Sequence, residues 1–157
     1  MFYQLLIFDA DEVSYRNGTL LPAMVTWRLC NPNQKIALVT NQPEPALHDA
    51  GWKNSHKKPS LDEIEAIYSA LAETLVAKLY MSLVYQRGDR IYYPIAANAN
   101  DERLSLTWKL PNSGMMLKAM DDAGATPQDT LVVADNQIAR KAALAVGCDF
   151  MWAHDFF

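Results

Sequence analysis

Leu5-Leu6-Ile7-Phe8-Asp9-Ala10-Asp11-Glu12-Val13 decides how the rest of the chain is read. Four apolar residues in a row predict a buried strand, and two aspartates stand one residue apart at its C-terminal end. Side chains alternate along a strand, so Asp9 and Asp11 start on the same side. The chain turns there, and both carboxylates can face a common crevice. Two acids at the tip of a buried strand are costly unless positive charge lies between them. A divalent cation and a phosphoryl group are the natural occupants.

Working outward, the same kind of segment recurs. Lys35-Ile36-Ala37-Leu38-Val39 reads as a second buried strand, closed by Thr40-Asn41-Gln42-Pro43. Arg90 to Ile95 reads as a third, Thr130 to Ala134 as a fourth with Asp135 at its end, and Asp149 to Trp152 as a last short one. Helices are expected between them. One runs from Pro22 to Cys30, with proline at its first position. A long amphipathic one carries Leu61, Ile64, Tyr68, Leu71, Leu75 and Leu79 at spacings of three and four. It opens on the capping box Ser60-Leu61-Asp62-Glu63. Another starts at Asn112 or Ser113 and ends at Gly124, and a last one spans Gln137 to Val146. Short apolar strands alternating with helices predict an α/β fold. Its expected core is a central parallel sheet of about five strands with helices on both faces. In such a fold the ligand lies beyond the C-terminal ends of the strands. Asp9, Asp11, Thr40, Asn41 and Asp135 all fall at that edge. Singly, each suits a turn as well as a site; as a set they point to function.

The bulk properties narrow the class. The chain has 157 residues, a length for one domain, 1–157, with a real core. Half of the residues are hydrophobic and a fifth are charged, as in soluble globular proteins. The net charge of −4 argues against broad binding to nucleic acid or an anionic membrane. Cys30 and Cys148 form no Cys-x-x-Cys pair and read as core packing in a reduced, cytoplasmic setting. There is no signal-peptide pattern and no transmembrane length. Asn17-Gly18-Thr19 is read as a turn rather than a glycosylation site. His48, His56 and His154 are scattered, and the four tryptophans read as core, with Trp108 a candidate for the substrate entrance.

Taken together, these residues resemble the haloacid-dehalogenase-like (HAD) superfamily of phosphatases over essentially the whole chain. Leu6-Ile7-Phe8-Asp9-Ala10-Asp11 resembles the first motif of that superfamily and Val39-Thr40-Asn41-Gln42 the second. Lys109 to Met116 resembles the third, and Val132-Val133-Ala134-Asp135 the fourth. The Val-Thr-Asn-Gln and Pro-x-x-Gly-Met runs are similar to the HAD-IIIA branch of histidinol-phosphate and heptose-bisphosphate phosphatases, with the polynucleotide 3′-phosphatases nearby. The resemblance implies a Rossmann-like, capless (C0) domain. It implies that Asp9 is the nucleophile forming an aspartyl-phosphate and that Asp11 is the acid and then the base. Mg²⁺ is then held by Asp9, the backbone carbonyl of Asp11, and Asp135. Thr40 and Asn41 bind the phosphoryl oxygens, and a lysine, here Lys109, offsets the charge.

The chain departs from the family at several positions. Where the first motif usually continues Gly-Thr, it has Glu12-Val13. The second acid of the fourth motif is Ala139, leaving Asp135 with Asn136 or Gln137 as possible help. Aligned without gaps on Pro111 and Gly114, the lysine of the third motif falls on Leu110, one past Lys109. After the Ile91-Tyr92-Tyr93 run come Pro94-Ile95-Ala96, without cysteine or histidine, so no structural zinc is expected.

The leading expectation is a Mg²⁺-dependent phosphomonoester hydrolase with no lid over its site. Net acidity favours a small sugar or amino-alcohol phosphate as substrate. The alternative substrate is a nucleic acid 3′-phosphate, contacted by Lys53, Lys57 and Lys58. The competing class is a catalytically altered HAD-like domain kept for binding or interaction. The oligomeric state is left open.

Overall fold

The computed structural model describes residues 2–157. In chain order its elements are β1 (Leu5–Asp9), β2 (Tyr15–Arg16), β3 (Thr19–Leu20), α1 (Pro22–Cys30), β4 (Lys35–Asn41), α2 (Glu44–His48) and α3 (Leu61–Leu75). There follow β5 (Lys78–Ser82), β6 (Tyr85–Arg87), β7 (Arg90–Tyr92), α4 (Gly114–Ala123), β8 (Thr130–Ala134), α5 (Gln137–Ala145), β9 (Asp149–Trp152) and α6 (Ala153–Phe156).

Five strands form one all-parallel sheet in the order β5-β4-β1-β8-β9. The alternation of side chains divides the core in two. Leu6, Phe8, Ile36, Leu38, Leu131 and Val133 point to one face, where Met24 of α1 and the apolar stripe of α3 cover them. Leu5, Ile7, Ala37, Val39, Val132 and Ala134 point to the other, under Met115, Met116, Ala119 and Met120 of α4 and Ala139, Ala142 and Ala143 of α5. Both faces of β1 are therefore buried, which is why its sequence is an unbroken apolar run. The C-terminal residues complete one layer: Phe8 is boxed edge-on by Trp27 at 5.3 Å and Phe156 at 5.4 Å.

The chain enters at the centre of the sheet, builds outward through β4 and β5, and returns to the other side of β1 for β8 and β9. Strand order reverses between β1 and β8. That switch point is where a parallel sheet opens a crevice at its C-terminal edge.

One expected strand is corrected. The third strand of the sheet is Lys78–Ser82, not Arg90–Ile95, and the long helix stops at Leu75 rather than running to Leu79. No glycine or proline marks the stop. Val76 itself adopts the left-handed conformation that ends the helix, at φ 52°, so the helical spacing ran unbroken into the strand. Arg90–Tyr92 instead pairs with Tyr85–Arg87 as a small antiparallel hairpin outside the main sheet. Cys30 is also corrected: it is exposed at the end of α1, whereas Cys148 is buried.

Gly114 opens α4 where the loop before it approaches very closely. A Cβ there would lie 2.5 Å from the carbonyl oxygen of Thr107, so only glycine fits.

Candidate active site

Asp9 closes β1 and is 6% exposed. Burial pushes its carboxyl up to about 7. A hydrogen bond from Asn136 opposes that shift, and the charges of Asp11 and Asp135 add to it. Asp135 follows β8 across the switch point and is exposed. Asn136 stands between the two acids. Its Nδ2 donates to Asp9 Oδ2 at 2.6 Å and to Asp135 Oδ1 at 3.3 Å. Its Oδ1 accepts the backbone N–H of Ala139, capping α5. Its one oxygen is thus committed to the helix, and what it presents to Asp9 is a donor.

The carboxylate of Asp11, half-buried at the wall of the same crevice, is anchored from behind by three side chains. Its Oδ2 accepts from Thr40 Oγ1 at 2.7 Å and from Gln42 Nε2 at 3.0 Å, and its Oδ1 accepts from the hydroxyl of Tyr68. Gln42 Nε2 also lies 2.9 Å from Thr40 Oγ1 and 2.6 Å from Tyr68 Oη. Burial, then the hydrogen bond to Asp11 and its charge, pushes the Tyr68 phenol far above its ordinary range. The turn after Asp11 is tight: Glu12 sits at φ 64°, with its carboxylate on the Arg16 guanidinium.

Asn41 holds the third wall. Its Nδ2 donates to the Leu110 carbonyl at 3.1 Å, and its Oδ1 accepts the Leu110 N–H at 3.0 Å. The side chain thereby pins the loop entering α4 across the strand tips, and the Leu110–Pro111 peptide bond is cis.

These groups enclose a cleft of about 380 Å³ lined by Asp9, Asp11, Glu12, Asn41, Leu110, Asp135, Asn136 and Ile138. No lysine or arginine is among its lining residues. Lys109 lies one residue outside it, and Leu110, buried, fills the wall instead. Lys118 is drawn off to Asp122 at 3.1 Å. Trp108 packs near Tyr80 and lines a separate cavity at the β5 edge of the sheet. Thr40 is fully buried, with its hydroxyl on Asp11. A larger cavity of about 530 Å³ opens at the opposite edge, around Leu5, Lys35 and Lys78, far from the strand tips. Size therefore does not mark the site; the convergence of acids does.

The structure thus brings Asp9, Asp11, Asn41 and Asp135 together, with Thr40 behind them, and leaves Lys109 and Trp108 outside. Gln42 and Tyr68 join the site without having been singled out as its residues, and Asn136, expected only as possible help to Asp135, also bonds Asp9. Tyr68 was hidden because its place in the apolar stripe of α3 explains it fully until its hydroxyl is traced.

No family model matches the sequence, and no curated protein does. Solved structures do match. D,D-heptose 1,7-bisphosphate phosphatase from B. bronchiseptica, complexed with magnesium and phosphate, superimposes with a TM-score of 0.62 at 18% identity. The match covers 94% of this chain and 78% of that one. The fold is that of the HAD-like phosphatases. A HAD-like phosphatase of Mesorhizobium loti gives a TM-score of 0.65 at 17% identity, covering 94% of this chain and 70% of that one. In the HAD-like frame the cleft lies at the switch point of the sheet, as the strand order requires.

The oxygen donors suit Mg²⁺. Among the described residues no three His, Cys, Asp or Glu side chains converge as a metal cluster. A hard cation that keeps several waters needs only one or two carboxylates. Asp9 and Asp135, both hydrogen-bonded by Asn136, are the two carboxylates that could supply these. Burial and the neighbouring acids raise the Asp9 carboxyl, and a cation beside it would offset that shift. Among the described residues no helix is long and apolar enough to cross a membrane.

Proposed function

We propose that the protein is a Mg²⁺-dependent phosphomonoester hydrolase working through an aspartyl-phosphate. The observation that carries the reading is the buried, electrostatically unsatisfied Asp9 facing Asp135 across the switch point of a HAD-like sheet. An Asp9 oxygen attacks phosphorus in line while the bond to the ester oxygen breaks. Asp11 gives its proton to that leaving oxygen. Asp11 then takes a proton from water, the water oxygen bonds to phosphorus, and Asp9 is released with inorganic phosphate. Thr40 holds Asp11, and Asn41 holds the Leu110 wall against which the substrate rests. Bound Mg²⁺, held by Asp9, the Asp11 carbonyl and Asp135, supplies the charge that keeps Asp9 ionised and neutralises phosphoryl oxygens. The net charge of −4 supports a small phosphorylated metabolite over a nucleic acid end.

A second reading has its own observations. Leu110 stands where the family places its lysine, and Ala139 where it places a second acid. These favour a HAD-like domain that binds a phosphorylated partner without turning it over. The test is hydrolysis of p-nitrophenyl phosphate with and without Mg²⁺. We expect Mg²⁺-dependent release of phosphate, abolished in Asp9→Asn. Folded protein that is inert with Mg²⁺ across a panel of sugar, amino-alcohol and 3′-oligonucleotide phosphates would leave the binding reading standing.

A further inference from the structure

We propose that Tyr68 is a positioning residue for Asp11, tying the proposed acid and base of the site to helix α3. The inference rests on the phosphatase reading and adds a residue that the strand-tip motifs do not contain.

Three side chains reach Asp11: Thr40 from the end of β4, Gln42 just beyond it, and Tyr68 from the middle of α3. Only Tyr68 bonds Oδ1; the other two share Oδ2. Without it the carboxylate is held on one oxygen and free to rotate about its own axis. Gln42 has two amide hydrogens for three acceptors, namely Asp11 Oδ2, Thr40 Oγ1 and Tyr68 Oη. Shared among these, a Gln42 hydrogen given to a hydroxyl oxygen turns that hydroxyl's own hydrogen onto Asp11. A hydroxyl both donates and accepts, so the contact with Tyr68 serves Asp11 as a carboxylate and, by rotating, as an acid. That suits a group that must lose a proton in one step and regain it in the next. Tyr68 is 5% exposed and Thr40 fully buried, so water does not replace either bond at low cost. The family's threonine after the first motif is Val13 here, which has no hydroxyl to give. Tyr68 supplies one to Asp11.

The role has a signature that mere structural support lacks. A misplaced Asp11 should hurt most where the leaving oxygen needs a proton. An alkyl phosphate leaves as a strongly basic alkoxide, and p-nitrophenolate leaves largely unaided. In Tyr68→Phe, kcat for an alkyl phosphate should fall at least about tenfold, with KM nearly unchanged. For p-nitrophenyl phosphate the loss should stay under about threefold. In an Asp11→Asn background the same substitution should add nothing. Gln42→Met, which frees both hydroxyls, should reproduce the pattern and serves if Tyr68→Phe folds poorly. Equal losses on both esters, or no loss on either, would overturn the role of Tyr68 while leaving the phosphatase reading intact. A wild type inert toward both esters would overturn the phosphatase reading and this one with it.

Discussion

Asp9 is a buried carboxyl with two acids as neighbours. Its carboxyl titrates at about 7 in the folded chain, against 3.8 ordinarily. A carboxyl whose folded value is raised favours folding fully below the unfolded value, and that advantage is lost as pH rises through the folded one. Between pH 4 and pH 7 the metal-free protein should therefore lose stability, by up to about 1.4 kcal/mol for each pH unit. Asp9→Asn is isosteric and does not titrate. Urea unfolding should find it equal to the wild type near pH 4 and more stable by about 2 kcal/mol or more at pH 8. Millimolar Mg²⁺ at pH 8 should stabilise the wild type and not the variant. Parallel pH curves would refute the burial account. Glu12 is strained in its backbone, with a side chain at φ 64° where the first motif of the HAD family usually carries glycine. A left-handed residue with a Cβ costs roughly 1–2 kcal/mol, and the exposed pair with Arg16 returns little of it. Glu12→Gly should raise stability by about 1 kcal/mol, read as the urea midpoint at unchanged slope. A lower midpoint would mean that the Arg16 pair outweighs the strain.

At the scale of elements, the sequence was legible wherever burial imposed a run. β1, β4 and β8 are buried on both faces, so each appears as consecutive apolar residues ending in a polar tip. The capping box of α3 was legible for the same reason, since its two bonds are local: Glu63 N–H to Ser60 Oγ, and Ser60 N–H to the Glu63 carboxylate. β5 was not legible. It is an edge strand whose Leu79 continues the spacing of α3, and the break before it is a valine in a conformation valines avoid. The hairpin of β6 and β7 was mistaken for a sheet strand because Ile91-Tyr92-Tyr93 has strand chemistry without burial on both sides. The site divided along the same line. Acids at strand tips could be located from the strands alone. Asn136 was legible only as help to Asp135, because its amide answers two further demands at once, an acid across the sheet and the N-terminus of α5. Lys109 was the natural cation in one dimension. In three, Asn41 clamps the backbone of the next residue and turns Leu110 to the cleft.

Across the whole molecule, the placement of Asp9 depends on the far end of the chain. Phe8 immediately precedes it and is fully buried. The Phe8 ring meets Phe156 at 5.4 Å, and Phe156 in turn meets Trp27 at 5.5 Å. These ring contacts join α1, β1 and α6 in one aromatic cluster on the face shared with α3. A ring that only covered surface would cost little to remove. This one closes the layer beneath the central strand. Phe156→Ala should therefore destabilise the protein by about 2 kcal/mol, below the full cost of a core phenylalanine because the ring is only half-buried. For a chain of this length that corresponds to a drop in Tm of roughly 4–8 °C. The loss should be shared with Trp27: the double variant Phe156→Ala with Trp27→Ala should cost less than the sum of the singles, because the two rings pack on each other as well as on Phe8. Thermal unfolding of the four proteins closes the cycle. Strict additivity would mean that α6 packs on the sheet independently of α1, and that the C-terminal rings do not brace the strand carrying Asp9.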